Sequence, residues 1–176
     1  MAQRSKGPPQ KPPPLDSERL RALALRYVER FSTSEAKLQR YLSRKLYERG
    51  WAGDAPADTA ALVARLAELG YVDDRAFGEA RMRGLAGRGF GPRRVAADLN
   101  AAGLTRDLAS ELSDGVDAHA AAVRFAERRR FGPYDRSPPD PDRSRKQFAA
   151  MLRAGHAIDV VKVVLRARDV DAFDEE

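Results

Sequence analysis

Apolar residues recur along this chain at the spacing of a single helix face. Leu20, Leu23, Ala24, Tyr27, Val28 and Phe31 fall at i, i+3, i+4, i+7 and onward, and Leu38, Tyr41, Leu42 and Leu46 repeat the pattern. Ser17 and Ser34 stand where the two helices would be N-capped, and Gly50 stands where the second would stop. Trp51, next after that glycine, fits the apolar contact of a Schellman stop. A third helix is predicted over about 58–69, with Leu62, Val63 and Leu66 inward and Gly70 ending it. The pattern then predicts helices over about 74–86, 92–102, 105–113, 117–130, 143–154 and 157–168. Pro92 suits the first helical position, where its missing N–H is no loss, and that helix buries Val95 and Leu99 before Gly103. Phe148, Met151 and Leu152 face inward in the helix over 143–154, and Ile158, Val161, Val164 and Leu165 in the helix over 157–168. No useful stretch alternates with period two, so no sheet is expected.

Half of one pattern occurs three times. Leu46 precedes Gly50 by four residues, as Leu99 precedes Gly103 and Met151 precedes Gly155. The glycines lie 53 and 52 residues apart, a near-constant period that marks a tandem helical repeat. The expected fold is all-α, with three tandem three-helix repeats in an elongated, curved array over 15–72, 73–116 and 117–168. Residues 1–14 hold five prolines and almost nothing apolar and read as a disordered or polyproline-like tail, while 169–176 form an acidic tail.

Composition narrows the chemistry. Hydrophobic residues make up 43% of the 176, enough for a folded protein, and aromatics only 7%, which suits tight alanine-rich helix packing. No apolar run approaches the length of a membrane span and no apolar signal core follows the N-terminus, so a cytoplasmic location is expected. The chain has no cysteine, which removes thiolate nucleophiles and thiolate zinc sites. Its two histidines, His119 and His156, fall in different repeats, the first at an exposed helix start and the second beside a helix stop. Neither a metal nor a cofactor is expected. The net charge is +6, and because residues 1–14 carry +3 and 169–176 carry −5, the body between them carries +8. Such a surface favours a polyanion or an acidic protein groove, although a solvated face in an arginine-rich chain has the same composition.

Asp73 and Asp74 could serve a metal or acid–base reaction, but both stand at a predicted helix start, where carboxylates cap free N–H groups and favour the positive helix end. Gly84, Gly87, Gly89 and Gly91 lack the Gly-Lys-Ser/Thr of a phosphate loop and read as a hinge between helices. Arg93 and Arg94 occupy a first helical turn, where cations oppose the helix dipole, so they serve something other than helix stability. Lys37, Arg40 and Arg44 share one face in the first repeat, and Arg124, Arg128 and Arg129 supply a comparable set in the third, with Arg130 beside them. Together these cations could follow a phosphate backbone or an acidic groove. Tyr27, Tyr41, Tyr47, Trp51, Phe77, Phe125 and Phe148 could act as base-stacking platforms, but most fall on apolar stripes, so core packing is expected for all but Tyr47.

The ordered set Gly70-Tyr71-Val72-Asp73-Asp74, Phe77 and Gly89-Phe90-Gly91-Pro92-Arg93-Arg94-Val95 through Gly103-Leu104 resembles the RecX family, bacterial regulators of the RecA recombinase. The resemblance extends more weakly over 17–168. The chain departs from the family pattern at Ala101 and Ala102, where a basic residue is common. The resemblance implies a monomeric, non-enzymatic protein that binds RecA and RecA–DNA filaments. It would inhibit their recombinase and ATPase activity and so act in DNA repair, recombination and the SOS response. It also implies that Gly70, Tyr71, Asp73, Asp74, Phe77, Gly91, Pro92 and Gly103 are structural markers of the repeat. Direct weak binding to single- or double-stranded DNA is a further expectation. A stand-alone helical DNA-binding regulator, and a hydrolase using Asp73 and Asp74, are the alternatives that the residues allow.

Overall fold

The computed structural model describes residues 12–167; the two tails expected at the ends of the chain lie mostly outside that range. Among the described residues there are nine α-helices and no strand. They are α1 (Ser17–Arg30), α2 (Glu35–Arg49), α3 (Thr59–Glu68), α4 (Asp74–Gly87), α5 (Pro92–Ala102), α6 (Arg106–Asp114), α7 (Ala118–Arg129), α8 (Pro141–Arg153) and α9 (Ile158–Arg166). The fold is therefore all-α. Buried side chains gather in three clusters, one for each consecutive helix triplet. The chain divides into two compact units between Asp73 and Asp74, the first holding one triplet and the second holding two.

In the first unit Leu20, Ala24, Leu38, Leu42, Val63 and Leu66 form the core, as their helical spacing predicts. The cap of α1 is Asp16, which accepts from the Arg19 N–H, and not Ser17, which is the first helical residue. The carboxylate one position earlier meets the free N–H groups better and also pairs with the Arg19 side chain at 3.1 Å. Ser34 caps α2 as predicted. Leu15 is fully buried and pairs with the backbone of Trp51, and the Pro13 carbonyl accepts from the Arg49 guanidinium at 2.8 Å. Contacts to the folded body thus begin two residues before Leu15.

Gly50, Gly103 and Gly155 end α2, α5 and α8, all with positive φ. In each case the carbonyl of the large apolar residue four positions earlier accepts from the turn: Leu46 from Gly50, Leu99 from Leu104 and Met151 from His156. The turns at Gly103 and Gly155 share one bonding pattern and Gly50 uses its own N–H instead, but all three set a positive-φ glycine four residues after the large apolar residue, which turns the sequence period into a shared helix frame. Eight residues before the glycine, Leu42 and Val95 fill the core, but the third triplet has Gln147. Its amide is satisfied: Oε1 accepts from the Gly132 N–H at 3.0 Å, and Nε2 donates to Asp135 at 2.7 Å. This bond holds the proline-rich connector, which contains an unforeseen 3-10 turn at Gly132–Tyr134.

Two expectations fail in the second unit. Ile158 does not face inward: it is 51% exposed, because Val161 and Val164, with Val160 and Leu165 packed beside them, carry α9 into the core. The glycine-rich segment is no hinge. Gly84 and Gly87 are helical, and Gly89 and Gly91 are buried against the third triplet. A Cβ on Gly89 would stand 2.7 Å from the Phe125 backbone nitrogen, and one on Gly91 would stand 2.5 Å from the Gly155 oxygen. These glycines exist for close approach between two triplets.

Candidate functional site

The junction inside the second unit positions the most exposed cations of α5. The Gly91 N–H donates to the Ala154 carbonyl at 2.9 Å, and the Arg93 N–H donates to the Gly155 carbonyl at 3.3 Å. The backbone at the start of α5 is therefore bonded to the α8–α9 turn, while the side chains of Arg93 and Arg94 remain exposed. Packing is done by main chain and the guanidinium groups are left for solvent or a partner.

His156 completes this junction and is not merely a neighbour of a helix stop. It is 1% exposed, and its Nε2 lies 3.0 Å from the Gly89 carbonyl, so the neutral ring donates from Nε2. The ring meets Phe125 edge-on at 5.6 Å, and burial pushes its pKa below the ordinary value of 6.5. Among the described residues Nδ1 has no hydrogen-bond partner. It occupies the space that a Cβ on Gly91 would need, 2.7 Å away. In the shared frame His156 fills the slot taken by Trp51 and Leu104, so the signal for its burial lay in the repeat. His119 is exposed in the first turn of α7.

On α2, Arg40 and Arg44 are exposed and Lys37 is half-buried. Tyr47 continues the same face at helical spacing and is 92% exposed, whereas Tyr27 and Tyr41 stack on each other at 4.2 Å against the core. Trp51, Phe77, Phe125 and Phe148 likewise pack on their cores. Arg44 leans on Glu48 at 3.6 Å, and Lys45 bonds the same carboxylate, which lowers the Glu48 pKa.

Arg124, Arg128 and Arg129 are exposed on α7, the first helix of its triplet, so they do not occupy the position of the α2 and α5 sets, which lie on second helices. Arg129 sits over the Phe125 ring at 5.7 Å. Arg130 is the left-handed cap of α7.

Asp73 directly precedes α4 and Asp74 opens it, the geometry of a helix N-terminus. Among the described residues no three histidine, aspartate or glutamate side chains gather where they could hold a metal ion. If Asp73 acts as a cap, Asp73→Asn should leave the melting temperature nearly unchanged, while Asp73→Ala should cost about 0.5–2 kcal/mol. Equal losses in the two variants would remove the capping role. Phe77 is buried among the second triplet's core residues, while Tyr71 is half-exposed.

A family model described as "RecX, second three-helix domain" matches residues 73–112. The chain is 29% identical to the regulatory protein RecX of Myxococcus xanthus, over 89% of each chain. It is 30% identical to that of Agrobacterium fabrum, over 86% of this chain and 84% of that one. With the regulatory protein RecX of a Mycobacterium species it shares 35% identity, over 79% of this chain and 80% of the relative. A crystal structure of a regulatory protein RecX superposes with a TM-score of 0.65 at 15% identity, covering 84% of this chain and 72% of that one, a likeness of fold.

Proposed function

This chain belongs to the RecX family, and we propose that it binds RecA and RecA–DNA filaments and inhibits their recombinase and ATPase activity. It does so by occupying a surface and not by chemistry of its own, as a cytoplasmic monomer that modulates DNA repair and recombination. The observation that carries this reading is the display of exposed cations on successive triplets, Arg40 and Arg44 on α2 and Arg93 and Arg94 on α5. Each set rests on a helix whose other face is locked into a core. A rigid element with an exposed basic face can engage a polymer whose repeating units present acidic groups or phosphates. Among the described residues no helix is long and apolar enough to cross a membrane.

A protein acting on a polymer affects many protomers per copy. The chain should therefore slow RecA's DNA-dependent ATPase when present well below one copy per RecA. Inhibition that needs enough protein to cover the free DNA would instead favour the stand-alone DNA-binding reading.

The paired change Arg93→Ala with Arg94→Ala should weaken binding to the filament. The melting temperature should hardly move, because exposed charges away from caps alter stability by less than about 0.5 kcal/mol. The backbone bonds that pack this turn survive both substitutions. Wild-type filament affinity in the double variant would return both arginines to a solvated surface.

A further inference from the structure

The three left-handed glycines define a common frame, and one exposed position in it carries the same side chain in every triplet. Ten residues before the glycine stand Arg40 on α2, Arg93 on α5 and Arg145 on α8, all exposed. Other outward positions do not repeat a charge. Six residues before the glycine stand Arg44, Ala97 and Ala149; two residues before stand Glu48, Ala101 and Arg153. The core positions four residues before the glycine, Leu46, Leu99 and Met151, have an evident reason to recur. An exposed guanidinium has no such packing reason.

We propose that Arg145, with Lys146 beside it, is the third triplet's contact to a nucleic-acid phosphate backbone, equivalent to Arg40 and Arg93. It rests on the proposed function only in assigning this basic position to the DNA and not to the protein of a filament. Arg145, Lys146, Ala149 and Arg153 line a shallow groove along α8 together with Asp142. The groove itself is walled by aliphatic side-chain carbon, and the residues that form it bring three cations and one carboxylate, with no large apolar or aromatic residue as an anchor. Protein interfaces take most of their energy from such anchors, whereas surfaces for nucleic acid are polar and strongly positive. Arg145 is ion-paired with Asp142 on the same helix, but its side chain is 78% exposed. A surface pair of this kind is weak and yields readily to a phosphate.

The test is a salt titration of binding to a fluorescein-labelled oligothymidylate by the full chain and by Arg40→Ala, Arg93→Ala and Arg145→Ala. Each variant should bind more weakly and flatten the log–log salt slope by about 0.7. Arg145→Lys should keep the wild-type slope, since it keeps the charge. The proposal falls if the wild-type chain does not bind the oligonucleotide at low salt, or if Arg145→Ala retains the wild-type slope. It also falls if a combined change of Arg124, Arg128 and Arg129 to alanine carries the slope instead. Weakened binding of Arg145→Ala to DNA-free RecA, with oligonucleotide binding intact, would make the contact an acidic protein surface and overturn the assignment. If the chain fails to slow RecA's ATPase while all three arginines carry the slope, the proposed function fails and this inference stands.

Discussion

Gly155→Ala should destabilise the second unit by about 2–5 kcal/mol. Gly155 has φ +93°, which costs a residue with a Cβ about 1–2 kcal/mol. A Cβ there would also stand 2.3 Å from the Arg94 backbone nitrogen and 2.6 Å from the Arg94 Cβ. Relief requires moving the α8–α9 turn away from α5, which would break the bond from the Arg93 N–H to the Gly155 carbonyl. Overpacking of this kind adds about 1–3 kcal/mol. Gly70→Ala is the matched comparison. Gly70 has φ +76° but nothing within 4 Å of the added methyl, so only the backbone cost of about 1–2 kcal/mol applies. Calorimetry of the two variants measures the difference. Equal shifts would mean that the second and third triplets are not locked at Gly155.

His156→Ala should cost about 2–4 kcal/mol, because it empties a buried slot against Phe125 and strips the Gly89 carbonyl of its partner. His156→Leu restores the bulk that Leu104 supplies in the preceding triplet but not the hydrogen bond. It should fall between the wild type and the alanine variant. The same residue makes stability depend on pH. Burial depresses the His156 pKa in the folded state, so the unfolded chain binds the proton first as pH falls. The stability that the neutral ring contributes is complete above the unfolded value near 6.5 and is lost as pH falls below it. Protonation would also place a charge on Nδ1, which faces Gly91 inside the junction. The carboxylates whose pKa values are lowered, such as Asp135 held first by the Ser137 N–H, titrate well below this range. Melting the wild type beside His156→Leu at about pH 7.5 and about pH 5.5 therefore isolates His156, because His119 is common to both. The wild type should lose stability across that interval and His156→Leu should lose much less. Parallel losses in both proteins would assign the pH dependence elsewhere.

The Asp73, Arg93 and Arg145 experiments concern side chains at the surface, whereas Gly155 and His156 concern the junction that holds α5 in place. A change at the junction should reduce binding and stability together. A change at an exposed arginine should reduce binding alone.

The helices were legible in the chain because each buries one stripe of apolar residues, and a stripe has a period. Leu38 and Leu42, Val95 and Leu99, and Val161 and Val164 announce their faces locally. The stops at Gly50, Gly103 and Gly155 were legible for the same kind of reason: a left-handed cap excludes most residues, so glycine marks it. The absence of sheet and the family resemblance followed from the same order of residues. What a residue does after the helix ends is not a local property. The burial of His156, the satisfied amide of Gln147 and the close approach at Gly89 and Gly91 depend on segments tens of residues away. Read alone, a glycine cluster looks like a hinge and a histidine after a stop looks like no more than a neighbour of that stop. The repeated arginine at 40, 93 and 145 was present in the sequence, but its shared position needed α2, α5 and α8 to be shown ending at positive-φ glycines. The sequence by itself determined the helices, their inward faces and the repeat, because those rest on periodicity and backbone preference. Tertiary structure decided how the second and third triplets are joined and which cations share a position, because those rest on long-range contact.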